Sequence, residues 1–215
     1  MSDKSNKYGY VGVDIPAQSF GNNKGVFNPA EINELVADNK WTTFGQLELI
    51  ETQTPSEVSS VTFSNIKENE YNVHFLTGVI ADSSTGTAGR GNKIQFFENG
   101  VLESGSVYQY AIQFGKTTGT FSEYKTTADS FIYMGGNDND ILTTQFYCYL
   151  YNLGDNTKYS FTTHQSFDSF NPLGDYMGFG SGVLPQASTV DGIKYFLATS
   201  DTFTGSLSLY GIRYS

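Results

Sequence analysis

The chain has 215 residues and a formal net charge of −10, and it is rich in Tyr (15), Phe (17) and Gly (23). Its 12 Lys and Arg residues form no cluster, which argues against nucleic acid or an anionic membrane as a partner, because binding phosphates requires clustered cations. No run of 18 apolar residues occurs, and a single cysteine excludes a disulfide within the chain.

The first 27 residues contain aromatic side chains without a sustained period. They begin without the apolar core of a secretory signal, so we expect the protein to fold first in a cytoplasm. Tyr8, Tyr10, Phe20 and Phe27 are large apolar groups in a segment with no core of its own. We therefore predict an irregular arm whose aromatic side chains, together with Trp41, contact a partner protein.

One short helix is predicted after this arm. Asn28 is a favourable cap, and Pro29 suits the first helical position. The apolar residues between Ile32 and Val36 then follow helical spacing, and the pattern ends near Asn39. A helix of this length is marginal alone and needs packing.

From residue 46 onward the apolar residues recur with a period of two, which is typical of strands. The alternating positions are Leu47 and Leu49, Val61 and Phe63, Tyr71 to Val79, Ile94 and Phe96, Tyr108 to Phe114, Phe131 and Tyr133, Phe146 to Leu150, Tyr159 to Gln165, Ile193 to Leu197, and Leu207 and Leu209. These nine or ten strands without intervening helices predict an all-β fold, an antiparallel β-sandwich or jelly roll. We divide the chain into an attachment arm with one short helix, residues 1–45, and a β-sandwich domain, residues 46–215.

The sequence predicts no catalytic residue and no cofactor. Ser181 lies in Gly-Phe-Gly-Ser-Gly, where Phe179 replaces the first glycine of the serine-hydrolase turn. His74 and His164 lack neighbours at metal-ligand spacing, so each is predicted to be a hydrogen-bonded structural histidine or a surface histidine. Cys148 alternates with apolar residues and is predicted to be buried.

The best candidate for a metal site is the oxygen-rich segment Asn137–Asp140. Such side chains could bind Ca²⁺, but the segment lacks the glycine and the distal glutamate of an EF-hand loop. We predict a solvated turn there and no metal site.

Two groups of aromatic residues are candidates for recognition. The tyrosines of Tyr147–Tyr151 line one face of a strand, which is either a second buried face or an interaction surface. Phe167, Phe170 and Tyr176 are predicted on a long loop, where they serve either surface recognition or local packing.

Both ends of the chain and parts of its middle contain short segments that carry a resemblance. They are Tyr8–Gly12 with Lys24–Asn28 and Trp41, Gly45–Thr54, Tyr159–Phe161, Gly180–Pro185 and Ser206–Ile212. Together they resemble the N-terminal module and the β-domain of virion structural proteins of marine tailed phages, notably cyanophages. The resemblance implies a capsid-surface or tail-fibre-like protein on the virion surface, assembled in the host cytoplasm, and it transfers no catalytic residue.

We therefore expect a non-enzymatic virion protein that decorates the capsid or forms a short appendage, anchored through its arm to other virion proteins. The alternative is a receptor-binding tail-fibre adhesin that recognises a host surface glycan. An enzyme that cleaves glycans would require two carboxylates in one cleft, and the sequence reveals no such constellation. The aromatic excess and the cyclic symmetry of virions further predict a homo-oligomer, with a homotrimer as the expected form.

Overall fold

The computed structural model describes residues 29–37, 47–83, 91–136, 141–170, 175–197 and 201–212. Contacts between residues divide the chain into two units, Met1–Gly45 and Gln46–Ser215, and each is considered by itself. Whether the first unit attaches the protein and the second folds alone stays a prediction.

The described part of the first unit is helix α1, Pro29–Ala37. The helix begins at the proline that the sequence indicated and ends two residues before Asn39, so this prediction is confirmed. Ile32 and Leu35 are half-buried, whereas Val36 is exposed. In the described ranges no helix has the length and apolarity needed to cross a membrane.

The described residues of the second unit form thirteen strands. They are β1 Leu47–Gln53, β2 Ser60–Phe63, β3 Val73–Asp82, β4 Asn92–Glu98, β5 Val101–Leu102, β6 Tyr108–Lys116, β7 Phe121–Asp129, β8 Ile132–Gly135, β9 Ile141–Tyr151, β10 Tyr159–Phe170, β11 Tyr176–Ala187, β12 Val190–Phe196 and β13 Phe203–Ile212. Every pairing between them is antiparallel.

The strands form two sheets, which confirms the predicted antiparallel β-sandwich. The large sheet has eight strands in the order β1-β13-β3-β9-β10-β11-β6-β7. The small sheet has the order β2-β12-β4-β5, with β8 paired to β4. We call the face of the large sheet that is turned toward the small sheet its inner face, and the opposite face its outer face.

The core between the sheets is apolar and aromatic. Phe146 of β9 stacks on Tyr195 of β12 with ring centroids 5.0 Å apart, and Phe203 meets the same tyrosine edge-on at 5.3 Å. Cys148 is buried in this cluster as predicted, and burial raises the pKa of its thiol. Burial of these side chains is the main favourable term that holds the two sheets together.

Strands β5, β7 and β11 are absent from the sequence-based prediction. The expected long loop Phe167–Tyr176 is wrong at both ends, because Phe167 belongs to β10 and Tyr176 begins β11. In β11 the glycines occupy alternate positions, so the apolar alternation that marks a strand is visible on one face only.

Candidate binding surface

On strand β10 the described side chains of the inner face are all polar, whereas the aromatic Phe161 and Phe167 lie on the outer face. The buried positions are Ser160, Thr162, His164, Ser166 and Asp168. The outward positions between them include Phe161 and Phe167, which are 42% and 43% exposed. This arrangement is the reverse of the usual one, in which the apolar side of a strand faces the core.

Strand β11 continues the reversal, because glycines occupy its inner face. A Cβ atom at Gly180 would lie 2.5 Å from the backbone oxygen of Ala111, and one at Gly182 would lie 2.4 Å from Ile132 Cγ2. Any larger residue would therefore collide with its surroundings. The outward residues Met177 and Phe179 are 53% and 54% exposed.

Asp168 anchors the polar side of β10 through a buried network. Its Oδ1 accepts hydrogen bonds from Thr144 Oγ1 at 2.6 Å and Asn92 Nδ2 at 3.3 Å, and its Oδ2 accepts one from Ser166 Oγ at 3.1 Å. The backbone N–H of Gly136 also donates to this carboxylate. Burial raises the pKa of Asp168 to about 6, although all four donors favour the ionised form.

The two histidines differ in how their ring nitrogens are satisfied. His74 is buried and its Nε2 lies 2.8 Å from the backbone oxygen of Ile66, as expected of a structural histidine. The Nδ1 atom of His74 has no hydrogen-bond partner among the described residues, and in His164, which is buried as well, the same is true of both ring nitrogens. Burial lowers the pKa of His164 to about 4. The expectation of a satisfied or exposed His164 is therefore wrong, because the reversal of β10 turns this side chain into the core.

The outer face of the large sheet carries a cluster of aromatic rings. Phe75 of β3 lies 4.9 Å from Tyr149, 6.1 Å from Tyr147 and 6.2 Å from Tyr210, measured between ring centroids. Tyr151 extends the cluster, 6.4 Å from Tyr149. Tyr147 is 39% exposed and Tyr149 and Tyr151 are half-buried, so within the described residues the tyrosine stripe is not a second buried face.

Polar side chains alternate with the rings on this face. Tyr147 Oη donates to Gln165 Oε1 at 2.6 Å, and Tyr151 Oη lies 3.3 Å from Thr163 Oγ1. These bonds hold each hydroxyl near an amide or a second hydroxyl, so the face presents apolar rings beside groups that can donate and accept hydrogen bonds.

A depression of about 1060 Å³ lies on the outer face where β9, β10, β11, β6 and β7 adjoin. The rings of Tyr151 and Phe161 line it together with hydrogen-bonding side chains. These include Gln109, Lys125, Thr126, Asn152, Thr163 and Ser181. The one charged side chain in the described lining is that of Lys125, and the other polar groups are uncharged hydroxyls and amides.

The structure locates only some of the predicted recognition residues. Phe167 lies on the outer face, whereas Tyr176 is 4% exposed, with Lys116 Nζ 4.5 Å above its ring, and offers no free surface. The side chain of Phe170 lies outside the described residues, as do the predicted partner contacts and the candidate metal segment. These are Tyr8, Tyr10, Phe20, Phe27, Trp41 and Asn137–Asp140. In the part of the chain that is described, no group of His, Cys, Asp and Glu residues could hold a metal ion.

Sequence reasoning missed Phe161, Met177 and Phe179 as surface residues. The signal was present: Met177 and Phe179 alternate with glycines, and Phe161 alternates with serine and threonine. When one face of a strand carries only small or polar residues and packs closely against the core, the aromatic residues of its other face are left toward solvent.

No family model matches this chain, and no curated protein matches it. Among solved structures, one similar chain is the CBM2 module of the evolved Dit protein of Lactobacillus casei BL23 phage J-1. It shares 10% sequence identity, the alignment covers 73% of this chain and 70% of that chain, and the TM-score is 0.22. A TM-score this low supports no inference about fold or function.

Proposed function

We propose that this chain is a non-enzymatic protein on the surface of a tailed-phage particle and that the outer face of the large sheet is its binding surface. The observation that carries the proposal is the reversal of β10 and β11, which leaves Phe161, Phe167, Met177 and Phe179 in solvent. Contiguous exposed apolar side chains mark interaction sites, because leaving them in water has a free-energy cost.

The virion location is supported by the sequence resemblance at both ends of the chain. In this proposal the arm, residues 1–45, attaches to a capsid or tail protein, and the outer face meets a second partner. Replacing Phe27 and Trp41 with alanine should weaken binding to the particle more than it lowers the melting temperature.

Binding of labelled protein to phage particles and to host cells, measured separately, tests the proposal. We expect the double variant Phe161→Ala/Phe179→Ala to bind its target about tenfold more weakly or worse, as at other aromatic contact sites. Val101 is 69% exposed on the small sheet and gives the matched control, Val101→Ala, which should bind normally. Equal binding by the double variant and the control would contradict the assignment of the outer face.

A second candidate, the glycan-binding adhesin, is favoured by the depression. A pyranose ring can place its C–H face on an aromatic ring while its hydroxyls bond to amides and hydroxyls, and Tyr151, Phe161, Gln109 and Thr163 provide both kinds of group. Adhesion to host cells that is competed by the host's purified surface polysaccharide, and lost in Phe161→Ala, would support this function. Binding to particles without any binding to host cells would favour the decoration protein.

A further inference from the structure

Strand β7 is an open edge of the large sheet. It is the last strand in the sheet order, and among the described residues its pairing partner is β6 alone. Its side chains are exposed along most of its nine residues. An uncovered strand of this length offers a row of unpaired backbone groups to another chain.

The hydrogen-bond pattern shows which backbone groups face the open side. The N–H of Lys116 donates to the oxygen of Thr120 at 2.9 Å, which makes this a hydrogen-bonded pair. Hydrogen-bonded and non-hydrogen-bonded pairs alternate along an antiparallel ladder. With the observed register, the N–H and C=O groups of Phe121, Glu123 and Lys125 therefore point away from β6.

The charged side chains of β7 would be complementary to those of a second copy of the same strand. Glu123 and Lys125 lie on either side of Tyr124, and their charged groups are 2.7 Å apart within one chain. If two copies of β7 pair in antiparallel fashion about Tyr124, Glu123 of each copy lies opposite Lys125 of the other, in hydrogen-bonded positions. A register centred on Glu123 or on Lys125 would instead place like charges opposite each other, which is destabilising.

The other edge of the large sheet, β1, has features that oppose such pairing. It contains Glu48 and Glu51 and no cationic residue, so two copies of β1 would bring acids together. Its register with β13 also shifts between Leu49 and Glu51, which interrupts the strand. Bulges and charged side chains protect sheet edges. The regular stretch Phe121–Thr126 of β7 contains no bulge, and its two charges, on Glu123 and Lys125, are opposite in sign, so a second copy can pair with them.

We propose that the protein forms a two-fold dimer in which β7 pairs with β7 of a second copy, centred on Tyr124. The ring of Tyr124 packs on Phe114 and Tyr133, with centroids 5.7 and 6.0 Å away, and so holds the strand in place for pairing. The two large sheets become one continuous sheet. The dimer replaces the homotrimer expected from virion symmetry, because a self-complementary edge closes after two copies.

The dimer has a consequence for the proposed binding surface. A two-fold axis perpendicular to the sheet keeps both outer faces on the same side. Lys125 and Thr126 line the depression, so the two depressions lie on either side of the new junction. A repetitive partner such as a polysaccharide could then occupy both sites, and linked sites strengthen binding without new contacts. This consequence rests on the proposed function, whereas the dimer itself does not.

The oligomeric state of the full chain, measured by sedimentation equilibrium, tests the proposal. We expect twice the chain mass, and a dissociation constant that rises about tenfold or more in Lys125→Glu and in Glu123→Lys, because each variant sets like charges opposite each other twice. The double variant Glu123→Lys/Lys125→Glu restores opposite charges and should restore the dimer. Lys67→Glu makes the same charge change between β2 and β3 and should leave the dimer intact.

Several results would overturn the dimer. A monomer at every concentration would do so, and a trimer would point instead to head-to-tail pairing of β7 with β1. Unchanged dimerisation in both single variants, or failure of the double variant to recover it, would exclude the proposed register. Since Glu123 and Lys125 are exposed, melting curves recorded at concentrations low enough to keep every variant monomeric should coincide, which separates loss of pairing from loss of folding. If the natural protein forms the dimer but binds neither particles nor host glycan, the result counts against the proposed function alone.

Discussion

Strands β10 and β11 of the large sheet turn their polar or small side toward the core and their aromatic side toward solvent. The inner face holds Asp168, His164 and a row of glycines, whereas the outer face holds Phe161 and Phe179. Burial of apolar area alone would favour the opposite orientation. What decides it is shape and hydrogen bonding: the small face fits the narrow space against β8, and Asp168 has four donors there. An orientation held against the hydrophobic effect is consistent with an outer face that serves another purpose.

The largest expected effect is loss of the close packing on the inner face. Gly180→Val places methyl groups against the Ala111 backbone oxygen, which cannot move without disturbing the β6–β11 pairing. We expect the free energy of unfolding to fall by about 3 kcal/mol. The control is Ser181→Val on the outward side of the next residue, which should change stability by less than about 0.5 kcal/mol. Chemical denaturation of both variants measures the difference, and equal stability would show that β11 has the opposite orientation.

How much of the fold the sequence predicts depends on whether the apolar side of each strand is also its buried side. In β6 and β9 the apolar side is also the buried side, so the alternation of Ile112 and Phe114, or of Phe146 and Cys148, predicts both strand and orientation. In β10 the alternation predicts the strand but suggests the wrong face. Strand β7 was missed because polar residues predominate on both faces of Phe121–Asp129 and its two aromatic residues, Phe121 and Tyr124, do not alternate with a period of two. The binding surface depends on neighbouring strands that are distant in sequence, and no local pattern contains that information.

A smaller effect is expected from the unsatisfied histidine. His164→Leu removes two buried nitrogens without partners, so it should stabilise the protein by about 1 kcal/mol at pH 7. Because burial lowers the pKa of His164 to about 4, the folded protein binds a proton less readily than the unfolded chain, whose histidine has the ordinary pKa of 6.5. The free energy of unfolding is therefore unaffected above pH 6.5 and decreases as the pH falls from 6.5 toward about 4. The advantage of the variant should therefore grow by about 2 kcal/mol between pH 7 and pH 5. Thermal unfolding at both pH values measures this, and a constant difference would mean that His164 is hydrated or paired.

Asp168 should produce a pH dependence of opposite sign. Its pKa is raised from 3.8 to about 6, so its contribution to stability is complete below about pH 4 and is lost as pH rises through 6. Relative to Asp168→Asn, the natural protein should gain about 1 kcal/mol between pH 7 and pH 5. The two proteins should be compared by how steeply their free energy of unfolding changes with pH. Their absolute stabilities differ at every pH, because the amide also disturbs the hydrogen bonds from Thr144 and Ser166. Parallel slopes for the two proteins would place the pKa of Asp168 near its ordinary value.

The smallest effect on stability is expected on the outer face, where large aromatic residues should matter little for folding. Phe179 is 54% exposed, so Phe179→Ser should change the free energy of unfolding by less than about 0.5 kcal/mol. A buried phenylalanine such as Phe114, on the inner side of β6, gives the contrast: Phe114→Ser should destabilise by at least about 3 kcal/mol. Urea denaturation of both variants compares the two faces directly. If Phe179→Ser proved as destabilising as Phe114→Ser, the aromatic outer face would be part of the folded core of the protein's own assembly. A small effect leaves recognition as the reason for the exposed ring.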